Sequence, residues 1–85
     1  MLDIEHEKKD GVTVMYFMGK MDTRTSPEAE KYVNGLLDEG ETNILMNFEE
    51  LDFISSTGLR VVLATGKKLM ADSGKLTMDR PKRSI

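Results

Sequence analysis

The chain has 85 residues, a net charge of −3, one histidine and no cysteine. This length allows one domain, and the composition excludes a disulfide framework, a cysteine-ligated zinc site, a cysteine nucleophile and a histidine-rich metal cluster. No apolar run reaches the roughly 18–20 residues that span a bilayer, and the acidic balance disfavours nucleic acid as the partner. We therefore expect a cytoplasmic protein without a membrane span, a metal or a cofactor.

The first two predicted elements form a β-hairpin. Residues 2–7 alternate between apolar or aromatic and acidic side chains, which is the period of a half-buried strand. Asp10-Gly11 follows, a dipeptide typical of hairpin turns. The run from Val12 to Met18 is largely apolar on both faces, which predicts a second strand inside a sheet and covered on both sides. Residues 19–25 predict a polar connection.

The first helix is predicted to start at Ser26. This serine is expected to cap the free amides, Pro27 suits the first helical position, and Glu28 favours the positive end of the helix dipole. Apolar side chains at i, i+3 and i+4 spacing predict one buried stripe, formed by Ala29, Tyr32, Val33, Leu36 and Leu37. Gly40 is placed to end this helix.

Three further elements follow. Residues 44–48 predict a short buried strand, and the acidic stretch from Glu49 to Asp52 predicts a solvated rim after it. A second helix is expected to start near Ser55–Thr57, and its apolar face is predicted from the helical spacing to consist of Leu59, Val62, Leu63, Gly66, Leu69 and Met70. Residues 72–74 are expected to end this helix, before a last strand over residues 75–78.

The element order β-β-α-β-α-β predicts an α/β fold. Two successive strand–helix–strand units imply right-handed crossovers and a small mixed, mostly parallel sheet. We expect both helices on one face, since two helices are most simply placed on one side of such a sheet. Residues 1–79 form a single predicted domain, and the basic residues 80–85 form a tail that we expect to be flexible.

The segment from Ser55 to Gly58 is the most informative part of the chain, with three hydroxyls and a glycine at a predicted helix start. Hydroxyl side chains there can cap the free amides, and plain capping is the commonest role of such a cluster. The positive end of the helix can also hold an anion. A phosphorylated hydroxyl would fit this position and would add about two negative charges to an already acidic surface.

Two motifs give the chain a family resemblance. Residues 47–69 resemble the signature region of STAS-domain anti-sigma-factor antagonists, in which an apolar strand and a few acidic residues precede Asp-Ser-Ser-Gly-Leu or a close variant. Here that motif stands as Ser-Ser-Thr-Gly-Leu at 55–59. Gly-Lys-Met-Asp at 19–22 is similar to the family's Gly-x-Leu/Ile-Asp after the second strand. The resemblance covers about residues 3–79 and implies a STAS-like fold.

The resemblance also implies roles for individual residues. The phosphorylation site falls on Ser56, two residues before Gly58, with Thr57 as the second candidate. Asp22 matches an acidic residue that lies beside this site in the family, and Leu59 is implied to anchor the helix in the core. The implied partner-binding surface consists of Asp22, Thr23, Ser55, Ser56, Thr57, Gly58 and Arg60.

The function implied by the resemblance is that of a non-enzymatic switch. An unphosphorylated antagonist binds an anti-sigma factor, often a serine kinase of the histidine-kinase-like ATPase fold; phosphorylation ends the binding and a phosphatase restores it. Two alternatives stay open: a constitutive STAS subunit of a transporter or signalling scaffold, and a phosphate- or nucleotide-binding module using the helix N-terminus at Ser55–Gly58. Family domains continue with at least one more helix, so we expect an uncovered apolar surface and self-association as a homo-oligomer.

Overall fold

The computed structural model describes residues 1–71 and 74–79. Its elements are β1 (Leu2–Lys9), β2 (Val12–Met21), α1 (Ser26–Asp38), β3 (Asn43–Ile54), α2 (Ser56–Ala71) and β4 (Lys75–Asp79). The predicted tail at residues 80–85 lies outside the described residues, as do residues 72 and 73 of the predicted end of the second helix. None of the described helices combines the length and the apolar character needed to cross a membrane.

The four strands form one mixed sheet in the order β1-β2-β3-β4. β1 pairs with β2 antiparallel, whereas β3 is parallel to both β2 and β4. The two parallel connections are made by α1 and α2, and right-handed crossovers in the same direction bring both helices to one face. The predicted α/β fold, with its mostly parallel sheet and helices on one face, is confirmed.

The core lies between this sheet face and the two helices. It is built mainly from alternate residues of β2 and β3 and from the apolar stripes of the helices, and its members include Met15, Phe17, Met21, Ile44, Met46, Ala29, Val33, Leu36, Val62 and Leu69. The ring of Phe17 packs against that of Phe48 with their centroids 5.1 Å apart. The stripe predicted for α1 is confirmed, since Ala29, Val33 and Leu36 are buried.

Both central strands are longer than the sequence predicts. β2 continues to Met21 through the expected polar connection, and β3 continues to Ile54 through the acidic stretch. The register between the two strands shifts near Gly19, which has a φ of +101°, and pairing then resumes until Met21 lies opposite Ile54. These segments become strands because their backbones pair with the neighbouring strand. Their polar side chains therefore gave no sign in the sequence that the strands continue.

The irregularity at Gly19 requires glycine for a second reason. The first residue of the chain passes so closely that a Cβ at Gly19 would collide with the carbonyl oxygen of Met1. The amide of Lys20 donates a hydrogen bond to that same oxygen at 3.0 Å. Met1 therefore packs against the irregularity at Gly19, and its hydrogen bond to Lys20 helps to hold the end of β2 in position.

The start of α1 differs from the prediction by one residue. Thr25 occupies the N-cap position, and Ser26 is the first helical residue and fully buried. The Ser26 hydroxyl donates a hydrogen bond to the carbonyl oxygen of Asp22 at 2.5 Å, so it faces back into the preceding loop and does not cap the helix. Pro27 and Glu28 lie in the first turn as predicted, and the helix ends before Gly40.

The buried face of α2 is also different from the predicted one. Leu59, Leu63 and Met70 are exposed, at 51%, 65% and 77% of their surface, and the prediction that Leu59 anchors the helix in the core is wrong. The buried positions are Gly58, Val61, Val62, Thr65 and Leu69. Thr65 can lie in this face because its hydroxyl donates to the carbonyl of Val61 within the helix, at 2.9 Å.

The opposite sheet face carries no described helix. The prediction that β2 is covered on both sides is therefore wrong for the described part of the chain, although β2 is an inner strand. Val14 is buried among its neighbours on this face, while Val12, Tyr16 and Met18 are half-buried. We refer to this side of the sheet as the open face.

Candidate functional site

The candidate site lies where β2 and β3 end side by side. Met21 is the cross-strand partner of Ile54, and the amide of Ser55 donates to the carbonyl oxygen of Met21 at 2.8 Å. The next residue on each strand is a candidate residue from the sequence, Asp22 on one and Ser55 on the other. Parallel pairing thus brings the two sequence motifs together at the carboxyl edge of the sheet.

Asp22 is held by a tight turn. Its carboxylate oxygen Oδ1 accepts hydrogen bonds from the backbone amides of Arg24 at 2.9 Å and Thr25 at 3.0 Å. The Thr25 amide is the largest cause of a pKa of Asp22 below its usual value, and the Arg24 amide and the Thr25 hydroxyl add to it, while partial burial opposes them. At neutral pH the site therefore presents a fixed negative charge.

Thr25 and Ser26 support this turn, and sequence reasoning missed the role of both. The Thr25 hydroxyl accepts a hydrogen bond from the amide of Asp22 at 2.9 Å and donates to the carbonyl of Lys20 at 2.8 Å. The Ser26 hydroxyl donates a hydrogen bond to the carbonyl oxygen of Asp22. Two hydroxyl residues directly before a proline predict a helix cap. Nothing in the sequence indicates that these hydroxyls instead form hydrogen bonds to the loop before the helix.

The three hydroxyl residues at the start of α2 have different environments. Ser55 caps the helix: its Oγ accepts from the amide of Gly58 at 3.2 Å, and its carbonyl accepts from the amide of Leu59 at 2.9 Å. The side chain of Ser56 is exposed and that of Thr57 is half-buried. This turn contains no acidic residue, so its positive end has no negatively charged side chain of its own.

Gly58 brings α2 close to the strand ends. A Cβ built at this position would lie 2.9 Å from Cγ1 of Ile54 and 3.0 Å from Sδ of Met21. The backbone of the first turn therefore rests directly on the last residues of β2 and β3. The close contact of Gly58 with Ile54 and Met21 therefore determines the position of Ser56 relative to Asp22.

Apolar groups lie beside these polar ones. Phe53, near the end of β3, is 48% exposed, and Leu59 follows Gly58 on the surface of α2. Thr23 and Arg60 are also exposed. Sequence reasoning missed Phe53 and Leu59 as surface groups, because large apolar residues next to a buried strand are normally read as core.

The acidic stretch is solvated, as predicted, but it is not a loop after the strand. It forms part of β3, and its charged members Glu49, Glu50 and Asp52 are exposed. Glu50 lines a groove on the open face together with Tyr16 and Asn47. Asp22 directly follows β2 at the carboxyl edge of the sheet, beside Ser55.

We expect Asp22 to stabilise the fold in a pH-dependent way. Because the pKa of Asp22 is lower in the folded than in the unfolded chain, its contribution is present above the unfolded value of about 3.9 and is lost as the pH falls through the lower folded value. Urea unfolding should therefore show the free energy of unfolding of Asp22→Asn falling less steeply than that of the wild type below about pH 4.

Asp3→Asn is the matched control for this measurement, because Asp3 is exposed and its side chain makes no hydrogen bond with the described residues. This control removes one negative charge without removing a hydrogen bond to the described residues. A profile for Asp22→Asn that runs parallel to that of the wild type would contradict the role assigned to the Asp22 carboxylate.

The chain has named relatives. It is 32% identical over 72 residues to a protein of Bordetella bronchiseptica named as an anti-sigma factor antagonist, BtrV. That match covers 85% of this chain and 62% of BtrV, so the chain spans less than two thirds of the length of this relative.

The fold has close counterparts among solved structures. The anti-sigma factor antagonist SpoIIAA in its unphosphorylated form matches with a TM-score of 0.79 and 24% identity, over 98% of this chain and 76% of that one. SpoIIAA of Bacillus in its phosphorylated form, described as a cell fate determinant, matches with a TM-score of 0.73 and 24% identity, over 96% of this chain and 74% of that one. At this identity, the likeness shows a shared fold.

The family model described as the STAS domain matches residues 3–85. This range contains both sequence motifs and every described element of the fold apart from the first residue of β1. The resemblance predicted from residues 19–22 and 55–59 is thereby confirmed. The chain belongs to the STAS domain family.

Proposed function

We propose that this chain is an anti-sigma-factor antagonist, a protein-binding switch without a catalytic reaction of its own. Its contact surface contains Asp22, Thr23 and residues 55–60, and phosphorylation of Ser56 weakens the contact. The partner is an anti-sigma factor that also acts as the serine kinase, and a phosphatase restores binding. The name of the relative BtrV and the fold shared with SpoIIAA support this role.

The observation that carries the proposal is the difference between the three hydroxyls at the start of α2. Ser55 is engaged as the helix cap, and Thr57 is half-buried. Ser56 is exposed at the first helical position, where a kinase can reach it without unwinding the helix. Of the three, Ser56 is therefore the best acceptor for a phosphoryl group.

A phosphate at Ser56 is compatible with the fold. The positive end of α2 favours a negative group, and no acidic side chain of the first turn already occupies that position. The same phosphate adds about two negative charges beside the ionised Asp22. The domain thus keeps its structure while its contact surface changes from moderately to strongly negative.

The neighbouring apolar groups explain how an unmodified surface can bind. Exposed Phe53 and Leu59 supply apolar area next to the polar groups, and protein interfaces commonly combine an apolar centre with a polar rim. A partner that covers Leu59 also covers Ser56, three positions earlier on the same helix, because residues three apart are neighbours on a helix surface. A new charge there would be desolvated on binding, which is costly.

The test uses wild type, Ser56→Ala and Ser56→Glu as baits for proteins from native lysate, followed by mass spectrometry and affinity measurement with the captured partner. We expect wild type and Ser56→Ala to bind an anti-sigma factor alike, and Ser56→Glu to bind at least about tenfold more weakly, which corresponds to about 1.4 kcal/mol. Incubation with the partner and ATP should place one phosphate on wild type and on Thr57→Ala, and none on Ser56→Ala.

Each contrary outcome identifies a different alternative. Equal binding by all three baits would favour a constitutive subunit of a transporter or signalling scaffold. Saturable heat on titration of the isolated chain with nucleotides would favour a nucleotide-binding module that uses the start of α2. Phosphate on Thr57 with Ser56 unmodified would move the switch by one residue.

A further inference from the structure

Helix α2 carries a second apolar stripe, which is exposed. Leu59, Leu63 and Met70 are each more than half exposed, and their spacing of i, i+4 and i+11 places them in one row along the helix. Gly66 lies in the same row and adds no side chain. The row extends over about 17 Å of the helix axis. Single exposed leucines are normal on protein surfaces, whereas a row at helical spacing is typical of a face that packs against another helix.

The charges along this stripe have one sign. Residues 56–71 contain no acidic side chain, although the whole chain has a net charge of −3. Arg60 and Lys67 are exposed, and because they lie three and four positions from Leu63, they border the stripe on the helix surface. Lys68 points elsewhere, since its Nζ donates to Oδ1 of Asn34 in α1 at 2.7 Å. The stripe therefore combines an apolar centre with a basic margin.

The stripe begins at the candidate site. Ser56 lies three positions before Leu59 and four positions before Arg60, so it is a neighbour of both on the helix surface. A phosphate on Ser56 would thus stand at one end of the stripe, within reach of the Arg60 guanidinium, and pairs of arginine with phosphate are strong. The phosphate would add negative charge to the stripe and also engage one of its two basic groups.

We propose that this stripe is the docking surface for an acidic amphipathic helix of the partner. The inference rests on the proposed function, because it states which kind of segment of the anti-sigma factor contacts α2. A helix of about three turns matches the length of the row, its apolar residues cover the three exposed side chains, and its carboxylates face the basic margin. Phosphorylation of Ser56 opposes this docking by repelling those carboxylates and by engaging Arg60.

Two other occupants fit the charges less well. A second copy of the chain that used the same stripe would bring Arg60 and Lys67 towards their own counterparts, and like charges across an interface are costly. A membrane of anionic lipids would attract the basic margin, but the net charge of −3 opposes the approach of the whole chain to such a surface. A partner helix meets only the local charge of α2.

The test is a titration of the whole, isotope-labelled chain, followed by the amide chemical shifts in NMR spectra. The probe is a synthetic helical peptide with leucines at i, i+4, i+7 and i+11 and glutamates beside them. We expect shifts along residues 59–70, and a dissociation constant at least about fivefold higher for Lys67→Glu. Lys31→Glu is the matched control, because it makes the same charge change at an exposed position of α1, and it should stay within about twofold of the wild type. A peptide with lysines in place of the glutamates should bind at least about tenfold more weakly.

The anti-sigma factor captured with the wild-type bait provides a second measurement. Leu63→Gln should weaken its binding at least about tenfold, and because Leu63 is 65% exposed, circular dichroism should show an unchanged fold. Full affinity of Leu63→Gln together with loss of binding by Ser56→Glu would overturn docking along α2 and leave the proposed switch in place. If no anti-sigma factor is captured, the proposed function fails, while the peptide titration still decides whether the stripe accepts an acidic helix.

Other results would also overturn the proposal. Equal binding of the acidic and the basic peptide, or shifts that spare residues 59–70, would mean that the stripe does not select an acidic helix. Sedimentation with phosphatidylglycerol vesicles but not with phosphatidylcholine vesicles, lost in Lys67→Glu, would assign the stripe to a membrane surface. Self-association in light scattering that is lost in Leu63→Gln would assign it to a second copy of the chain.

Discussion

Replacement of Phe17 by alanine should lower the free energy of unfolding by about 3–5 kcal/mol. Phe17 is only 1% exposed, lies at the centre of the core and packs against Phe48. Truncation removes a ring that the surrounding side chains cannot replace, because the sheet and the two helices fix the distance between their backbones. Domains of this size have a total stability of about 5–15 kcal/mol, so this variant should be close to unfolding.

Phe53→Ala is the matched control for this loss. It is the same substitution in the same sheet, but Phe53 is 48% exposed, so the change should stay within about 0.5–1 kcal/mol. Urea unfolding of both variants measures the difference, which should appear as a shift of the midpoint with little change of slope. Equal losses in the two variants would contradict the assignment of Phe53 to the surface of the site.

Replacement of Gly58 by alanine should destabilise the protein by about 1 kcal/mol or more. Overpacking against Ile54 and Met21 costs about 1–3 kcal/mol, and it is offset only in part by the higher helix propensity of alanine, at most about 1 kcal/mol. The same change pushes the start of α2 away from the strand ends. It should therefore also weaken binding of the proposed partner at Ser56.

Gly35→Ala controls for helix propensity. Gly35 also lies in a helix, but it is exposed, and a Cβ built there would meet no atom within 4 Å beyond its chain neighbours and the backbone of its own helix. This variant should gain about 0.5–1 kcal/mol. Thermal or urea unfolding should thus give shifts of opposite sign for the two glycines, and a gain in both would show that α2 does not rest on the strands.

The predictions from sequence succeeded where one local rule decided the outcome. Helix α1 was predicted from its apolar spacing and from Gly40 at its end, and the hairpin was predicted from Asp10-Gly11, which both adopt positive φ. The element order then allowed few topologies for the sheet. The motifs at residues 19–22 and 55–59 led to the family before any contact between them was known.

The predictions failed where two elements had to be brought together. In α2 the alternative apolar faces differ by one position along the sequence, and Gly58 rather than Leu59 faces the core because only glycine lets the helix approach Ile54 and Met21. Similarly, Ser26 was predicted as a cap, but its hydroxyl reaches the Asp22 carbonyl, a contact that exists only after the loop has closed.

The sequence by itself determined the fold class, the order of the elements, the family and the position of the three hydroxyls at the start of α2. These properties follow from residue spacing and from local backbone preferences, which act over a few neighbours along the chain. Only the tertiary structure decided which hydroxyl is exposed, how Asp22 is fixed beside Ser55, and which sheet face the described helices leave uncovered. Those properties depend on backbone pairing between distant strands and on the space left between packed elements, and neither is encoded in the pattern of any single segment.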